Sequence, residues 1–311
     1  EGTTLNLELE LAPASPAEVE RDRAVEPEPL PPRRALPSIE EAEAERSLVL
    51  LVDDHPTNRL VVTRQLALAG YRAETANDGT QGLAAWRSGR FALVLTDLHM
   101  PLMDGYQLAA EIRAEEQREQ RPRTPIIALT AAVLKGEAQR CLEAGMDDYI
   151  AKPASIGVLV QRLQHWLPHL ASPAASGPGA PAPPVLPVAP SASEDAPSWD
   201  PQVLREALGP DPGILREVLV EFVEAARRDV EAAEAAFRAE DRHALCREAH
   251  RLKGAADLAG ALALRAQAAC IESEARDLER EALDAELARL RLRLREFEDA
   301  TARARLGLTE G

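Results

Sequence analysis

The chain has 311 residues, a formal net charge of −16 and a sequence pI near 4.9. Its length leaves room for about two domains. Its acidity argues against a nucleic-acid partner, because no basic surface is available to neutralise phosphates. The three cysteines have no metal-type spacing and are expected to be reduced thiols. No apolar run approaches the roughly 20 residues that cross a bilayer, and no signal-peptide pattern is present, so we expect a soluble piece without membrane contact.

The beginning of the chain predicts one strand and then a linker. Residues 2–11 alternate leucines with polar side chains, the period-two pattern of a half-buried strand. Such a strand needs a sheet to pair with, and the first residue is Glu, so we expect a fragment whose preceding sheet lay upstream; an isolated edge strand is the alternative. Residues 12–46 are rich in Pro and Glu, which predicts a disordered acidic linker with a short helical turn at 40–45.

Residues 47–168 alternate strand and helix patterns. Strands are predicted at 48–52, 71–75, 91–96, 125–129 and 148–151, and helices at 57–69, 80–88, 106–119, 136–144 and 155–166. Most of these strands are continuous apolar runs of the kind covered on both faces. Five such βα units predict an α/β domain with a doubly wound, five-stranded parallel sheet.

The rest of the chain predicts a spacer and an all-α domain. Residues 169–198 are mostly Pro, Ala, Ser and Gly, a composition typical of a semi-extended linker. Beyond it, apolar residues recur at three- and four-residue spacing. Helices are predicted at 202–208, 213–239, 241–258, 261–277 and 278–306. The last four of these predict an antiparallel four-helix bundle within residues 199–311.

Reactive side chains follow four of the predicted strands. They are Asp53 and Asp54 after the first strand, Asp97 after the third, Thr130 after the fourth and Lys152 after the fifth. The carboxyl ends of parallel strands share one edge, so these groups should converge. Three neighbouring carboxylates repel one another unless a cation lies among them, and Mg²⁺ prefers such oxygen ligands. The lysine can pair with Asp97 or with a phosphoryl oxygen, and the threonine hydroxyl can donate a hydrogen bond to the same group.

We call the edge that carries Asp53, Asp54, Asp97, Thr130 and Lys152 the rim of the sheet. Two alternatives remain open for it. Asp97 could merely cap the turn that follows it, since Asp is common in turns. His55 and His99 could instead belong to a transition-metal site, because histidine is a common metal ligand.

Four short stretches carry a family resemblance. They read Val-Asp-Asp-His-Pro-Thr-Asn at 52–58, Thr-Asp-Leu-His-Met-Pro-Leu-Met-Asp-Gly at 96–105, Ala-Leu-Thr-Ala at 128–131 and Tyr-Ile-Ala-Lys-Pro at 149–153. In this order they closely resemble receiver domains of two-component signalling, over residues 47–168. The resemblance implies that Asp97 is the phosphoacceptor, which attacks a phosphohistidine and becomes an acyl phosphate.

The same resemblance assigns further roles. Asp54, Asp97 and the backbone carbonyl of His99 would bind Mg²⁺ directly, and Asp53 would act through water. Thr130 and Tyr149 resemble the switch pair of receivers, in which the hydroxyl moves toward the phosphoryl group and the ring turns inward. Lys152 would offset charge in the transition state, and Lys152-Pro153 matches a bond that is cis in the family. His99 and Ala132 occupy positions that tune the lifetime of the phosphoryl group.

A second group of residues lies in the helical region. On a helix, His250, Lys253 and Gly254 share a face. Glycine inside a helix costs about 1 kcal/mol relative to alanine, so Gly254 indicates a need for close approach. The alternative is a surface histidine beside a chance glycine. His243, seven residues earlier, lacks these companions and is interpreted as a solvated surface residue.

The stretch His-Arg-Leu-Lys-Gly at 250–254 resembles the His-x-Leu-Lys-Gly signature of histidine phosphotransfer (HPt) domains. That resemblance implies that His250 is a second phosphoacceptor, with Lys253 balancing the charge of the phosphoryl group. HPt domains carry phosphoryl groups without catalysing their own phosphorylation.

The order of the segments resembles the unorthodox hybrid sensor histidine kinases, and the receiver stretch is most similar to the BvgS/EvgS type. Residues 1–11 would be the last strand of the kinase ATPase domain. The implied function is a phosphorelay in which Asp97 accepts a phosphoryl group from an upstream kinase histidine domain and passes it to His250. His250 then donates it to the receiver of a separate response regulator. The implied location is the cytoplasm, with the parent chain anchored in the bacterial inner membrane.

Two other classes of function stay open. One is a non-catalytic interaction scaffold built from a receiver and a helical bundle. The other is a phosphatase with an aspartyl-phosphate intermediate; haloacid-dehalogenase-like enzymes place a second Asp two residues after the nucleophile, where this chain has His99.

Overall fold

Two folded domains make up the part of the chain that the computed structural model describes, which is residues 34–130, 135–170 and 198–307. We call residues 34–170 the sheet domain and residues 198–307 the helical domain. The predicted strand at 2–11, the predicted linker up to residue 33 and nearly all of the Pro/Ala-rich linker lie outside the described residues, as does Ala132.

The sheet domain has the predicted doubly wound α/β fold. Its strands are β1 (Val49–Val52), β2 (Ala73–Ala76), β3 (Leu93–Asp97), β4 (Ile126–Thr130) and β5 (Asp148–Ala151). They are all parallel, in the order β2-β1-β3-β4-β5. In β1, Leu50 and Val52 pack into one apolar core whereas Val49 and Leu51 pack into another. The sheet is therefore covered on both faces, which explains its nearly continuous apolar strands.

Helices flank this sheet and begin at side-chain caps. They are α1 (Ile39–Ala44), α2 (Pro56–Leu68), α3 (Gly79–Trp86), α4 (Gly105–Glu119), α5 (Lys135–Glu143) and α6 (Ile156–Trp166). Asp78, Asp104 and Ser155 each accept a backbone N–H of the first turn of the helix that they precede. His55 does the same for α2, whose first residue is Pro56. These caps satisfy donors that have no partner inside the helix.

Helix α1 corrects the predicted extent of the acidic linker. Residues 34–46 fall within the predicted linker, yet Ser38 forms a capping box with Glu41 and the side chain of Ala42 is buried in the core of the sheet domain. Arg72 donates to the carbonyl of Pro37 at 2.8 Å. This segment is ordered because the capping box starts the helix, while the buried Ala42 and the hydrogen bond from Arg72 fix it against the sheet domain, contacts that composition does not reveal.

The helical domain contains the four predicted bundle helices and the predicted lead helix. They are α7 (Pro201–Leu208), α8 (Pro212–Arg238), α9 (Arg242–Leu258), α10 (Leu262–Glu274) and α11 (Arg280–Gly307). The rings of Phe222 and Phe297 meet edge to face in the core, with centroids 5.1 Å apart. Trp199 packs against Phe297 and donates its indole N–H to the carbonyl of Ala259.

The two domains contact each other directly. Helix α2 of the sheet domain lies against α8, and the side chain of Val61 is fully buried among residues of the helical core. Gln65 donates to the carbonyls of Ala154 in the sheet domain and Ala207 in the helical domain. Across the described ranges, no helix is long and apolar enough to span a membrane.

Candidate functional site

The register of the sheet brings the predicted rim residues to one edge. Val52 pairs with Thr96, so Asp53 and Asp97 follow at the same level, and Thr130 pairs with Ala151, the residue before Lys152. The peptide bond between Lys152 and Pro153 is cis, as the resemblance implied.

A buried lysine lies between two of the carboxylates. The Nζ atom of Lys152 is 2.7 Å from Oδ2 of Asp53 and 2.7 Å from Oδ1 of Asp97. Their side chains are 7%, 0% and 15% exposed, respectively, so water screens this charge cluster little. The carboxylate of Asp97 accepts a hydrogen bond from Lys152, and the cap of α4 is Asp104.

Negative charge at the rim exceeds what the lysine can balance. Burial, and after it the neighbouring Asp53 and Asp97 carboxylates, raise the pKa of Asp54 to about 7. Burial also raises the pKa of Asp97, although Lys152 opposes this effect. Burial alone would lower the pKa of Lys152, but the two carboxylates raise it above its usual value. The rim is therefore poised to receive an additional cation.

Asp53 is held rigidly by its neighbours. Its Oδ1 accepts the backbone N–H of His55 at 2.9 Å, and Asn58 donates to both carboxylate oxygens. Arg59 donates to its backbone carbonyl at 2.7 Å. These bonds leave Asp53 little freedom to turn toward a ligand, which is in keeping with a role through water.

The backbone around Asp97 requires a glycine nearby. The N–H of Gly105 donates to the carbonyl of Leu98, and a Cβ built at Gly105 would lie 2.2 Å from the carbonyl oxygen of Asp97. The Asp-Gly pair at 104–105 thus combines a helix cap with a close approach of two backbone segments.

The proposed switch residues lie at the far side of the rim. Thr130 is buried, and its hydroxyl donates to Oε2 of Glu137 at 3.2 Å. Tyr149 is half-buried and packs against the apolar core that also contains Leu98 and Met100. Residues 131–134, which connect Thr130 to α5, lie outside the described ranges.

In the helical domain, His250 has a partner that the sequence did not reveal. Its Nδ1 is 2.6 Å from Oε1 of Glu272, and Nζ of Lys253 is 2.6 Å from the other oxygen of the same carboxylate. Burial alone would raise the pKa of Glu272, but hydrogen bonds from His250 and Lys253 lower it to about 2. An ionised carboxylate only accepts hydrogen bonds, so Nδ1 carries a proton, and in the neutral form of the ring the lone pair is on Nε2.

The structure agrees with the sequence prediction for Lys253 and His243 but shows no crowding at Gly254. His250 and Lys253 share a face of α9, as their spacing predicted. At Gly254, an added Cβ would meet nothing within 4 Å, so the contacts in this arrangement supply no steric need for glycine. His243 is exposed, as predicted.

The two proposed phosphoacceptor regions face the same space between the domains. A cavity of ≈ 830 Å³ is lined by Asp54 and His99 from the sheet domain and by His250, Lys253 and Glu272 from the helical domain. The rings of His99 and His250 meet edge to face, with centroids 4.9 Å apart. Since His99 is two residues after Asp97, this contact brings His250 to the rim.

A buried polar contact lies beside this cavity. His55 Nε2 is 2.9 Å from Oδ2 of Asp229, and their side chains are 0% and 3% exposed. Arg251 donates to the other oxygen of Asp229. Sequence reasoning missed Asp229, Arg251 and Glu272, because their partners lie on other helices and no short motif marks them.

The rival transition-metal site is not assembled. His55 uses both ring nitrogens, one toward Asp229 and the other to accept the N–H of Thr57. Within the described ranges, no three His, Cys, Asp or Glu side chains converge closely enough to hold a metal ion by themselves.

Comparisons with known proteins match the two domains separately. The response regulator receiver domain family matches residues 49–164, and the Hpt domain family matches residues 217–300. The virulence sensor protein BvgS of Bordetella pertussis is 35% identical over 218 residues, which are 70% of this chain and 17% of that protein. The sensor histidine kinase RcsC of Escherichia coli is 40% identical over 150 residues, 48% of this chain and 15% of that protein.

Among solved structures, the receiver domain of sensor histidine kinase PA1611 from Pseudomonas aeruginosa, with magnesium in its active site cleft, is 41% identical. The match covers 39% of the present chain and 98% of the solved receiver domain, with a TM-score of 0.36. The chain spans less than a fifth of the length of the BvgS and RcsC relatives. The chain therefore contains a receiver domain, matched over residues 49–164, and an Hpt domain, matched over residues 217–300, in an order that fits part of a hybrid sensor histidine kinase.

Proposed function

We propose that this chain is the receiver and HPt part of a multistep phosphorelay. Asp97 accepts a phosphoryl group from the histidine of an upstream kinase domain, and His250 receives it from Asp97. His250 then donates it to the receiver of a separate response regulator. The observation that carries the proposal is the contact between His99 and His250, which brings the second acceptor to the rim that holds the first.

The first step forms an acyl phosphate. A carboxylate oxygen of Asp97 attacks phosphorus, the bond from phosphorus to the donor nitrogen breaks, and its electron pair returns to the donor imidazole. Lys152 is fixed 2.7 Å from the Asp97 carboxylate and would offset charge on the transferring group. Thr130 would turn from Glu137 toward the phosphoryl oxygens, and Tyr149 would follow it inward.

The residues at the rim suit Mg²⁺. Burial and the neighbouring carboxylates raise the pKa of Asp54, and a hard cation would relieve this crowding of acids. Mg²⁺ needs only one or two carboxylates, with water and phosphate completing its shell. Asp54, Asp97 and the His99 carbonyl would hold it, and Asp53 would contribute through water. When bound, the ion would neutralise charge that develops on the phosphoryl oxygens.

The second step uses the tautomer that Glu272 imposes on His250. The Nε2 lone pair attacks phosphorus, the bond from phosphorus to the Asp97 oxygen breaks, and the electron pair stays on that carboxylate. The proton remains on Nδ1, where Glu272 stabilises the positive charge of the phosphorylated ring. Lys253, which binds the same carboxylate as His250, would balance the charge of the phosphoryl group.

The wider setting is also part of the proposal. The kinase donor, the separate regulator and a cytoplasmic position below an inner-membrane anchor all follow from similarity to sensor kinases, of which this chain spans a small part.

A labelling experiment with acetyl phosphate and Mg²⁺ tests this function. We expect label on Asp97, which alkali removes, and label on His250, which alkali leaves. Asp97→Asn should lose both labels, whereas His250→Gln should keep the first and lose the second.

Label on His250 in the Asp97→Asn chain, with a kinase histidine as donor, would contradict the order of transfer. Absence of any label on the unsubstituted chain would favour the scaffold reading, and turnover of a simple phosphate ester would favour the phosphatase reading.

A further inference from the structure

Most contacts between the two domains would not distinguish one docking partner from another. Leu60 and Val61 on α2 contribute apolar contacts to the helical domain. The ion pair between Arg64 and Glu217 crosses the same boundary, but these side chains are 40% and 45% exposed. Exposed pairs of this kind contribute little, and apolar contacts tolerate many partners.

The hydrogen bond between His55 and Asp229 differs from these contacts because it is buried and because it requires a donor that points at the carboxylate. Nδ1 of His55 accepts the N–H of Thr57 at 3.2 Å, so the ring proton must be on Nε2, which donates to Asp229. Asp229 is a nearly fully buried carboxylate with one partner in each domain, His55 and Arg251. Loss of either partner in the docked arrangement leaves a buried charge incompletely paired, which is costly.

This bond also connects the two proposed phosphoacceptors. The backbone N–H of His55 donates to Asp53, which is paired with Lys152 and through it with Asp97. On the other side, Asp229 accepts from Arg251, the residue after His250. The network therefore extends from Asp97 to Arg251, the residue next to His250 in the sequence, and it crosses the boundary between the domains.

We propose that His55 and Asp229 are positioning residues that select the chain's own receiver as the phosphoryl donor to His250. Another receiver could lack a hydrogen-bond donor at the position of His55, directly after the two acids that correspond to Asp53 and Asp54. Its docking would bury Asp229 without this partner, so it would compete poorly for the surface of the helical domain around Asp229. The proposal rests on the relay function proposed above. It adds a specificity determinant that depends on two side chains outside the reacting groups.

Transfer between two copies of this chain tests this proposal. The donor is the His250→Gln, Asp229→Ala chain, labelled on Asp97 with acetyl phosphate and then desalted. Because its own Asp229 is absent, its His55 can donate only to Asp229 of the acceptor. The acceptor is the Asp97→Asn chain, whose own receiver covers His250. We expect His55→Asn in the donor to slow labelling of His250 by about tenfold, because a buried hydrogen bond to a charge is lost. The same substitution in the acceptor should accelerate labelling by a similar factor, because it releases the competing receiver.

Matched substitutions separate docking from folding. Asn at position 55 can still cap α2 but cannot reach Asp229, whereas Gln extends a donor toward Asp229 and caps poorly. We therefore expect His55→Gln to retain more of the wild-type behaviour than His55→Asn in both donor and acceptor. Arg64→Ala, which breaks the exposed pair at the same boundary, should change either rate by less than about twofold.

Several outcomes would overturn the proposal. If His55→Asn slows transfer in the acceptor as well as in the donor, the residue has only a structural role. If His55→Gln is the more damaging change, capping of α2 is its function. Failure of the unsubstituted donor and acceptor to exchange label, despite labelling of Asp97, would instead reject the relay itself.

Discussion

The imidazole rings of His99 and His250 meet edge to face across the domain boundary, with centroids 4.9 Å apart and planes inclined by 67°. Burial lowers the pKa of His99, and the neighbouring His250 lowers it further. A neutral ring at position 99 can therefore pack against His250 without charge repulsion. Because His99 follows Asp97 by two residues, we expect its ring to position His250 beside Asp97.

We expect His99→Ala to slow transfer from Asp97 to His250 by roughly three- to tenfold, since an edge-to-face ring contact is worth about 0.5–1.5 kcal/mol. Labelling of Asp97 by acetyl phosphate should persist, because the carbonyl proposed to bind Mg²⁺ belongs to the backbone. His99→Phe keeps the ring edge and should transfer at a rate close to that of the wild type. Single-turnover labelling measures these rates beside the hydrolysis of the acyl phosphate. Equal transfer in His99→Ala and His99→Phe would contradict a guiding role for the ring.

The hydrogen bonds of Glu272 predict an acid dependence of stability. Its pKa falls from 4.5 to about 2 on folding, so its contribution is complete above pH 4.5 and is lost as pH falls toward 2. The side chain is 27% exposed, and we expect a contribution on the order of 1–3 kcal/mol. Glu272→Gln should lower the free energy of unfolding at pH 6, and its difference from the wild type should shrink below pH 4.5.

Urea unfolding at several pH values measures this difference. Glu274→Gln, an exposed carboxylate in the last turn of the same helix, is the control and should change stability little at any pH. A difference between wild type and Glu272→Gln that stays constant between pH 6 and pH 3 would show that the carboxylate is not held in its ionised form.

The rim was predictable from sequence because topology alone determines it. Residues that follow parallel strands must meet at one edge, so Asp53, Asp97 and Lys152 could be grouped before any coordinates existed. Glu272 and Asp229 could not be grouped with their partners in this way. Their contacts depend on how helices pack and how two domains dock, and neither leaves a periodic or local pattern in the sequence.

The short helix before β1 shows a similar limit. Composition predicts a disordered linker for residues 34–46 with only a short helical turn at 40–45, since Glu and Pro dominate that region. A capping box at Ser38 and burial of Ala42 nevertheless fix the helix Ile39–Ala44 against the sheet domain. Composition averages over a window, whereas two specific contacts decide the outcome here.

Lys152 links the stability of the sheet domain to its proposed metal ion. Lys152→Met would leave Asp53 and Asp97 buried without their shared partner, and such a loss costs about 3–5 kcal/mol. We expect the loss to be smaller in Mg²⁺, since a bound cation replaces part of the missing charge.

Urea unfolding with Mg²⁺ and with a chelator measures both values. Arg123→Met, which breaks a partly exposed pair with Asp147 in the same domain, should cost less than about 1 kcal/mol in either condition. Equal destabilisation of Lys152→Met with and without Mg²⁺ would argue against a cation at this rim.

Two glycines with opposite surroundings provide the last prediction. A Cβ at Gly105 would lie 2.2 Å from the carbonyl oxygen of Asp97, so Gly105→Ala should destabilise the sheet domain by about 3 kcal/mol. Gly254 is inside α9 with nothing within 4 Å of its Cβ position, so Gly254→Ala should stabilise the helical domain by up to about 1 kcal/mol.

If Gly254 keeps space for the phosphoryl group on His250, the same stabilising change should slow labelling of His250. Unfolding and labelling of the two alanine variants separate these effects, because Gly105→Ala loses stability whereas Gly254→Ala gains stability and loses rate. Unchanged labelling in a stabilised Gly254→Ala chain would mean that the glycine is not needed for clearance around His250.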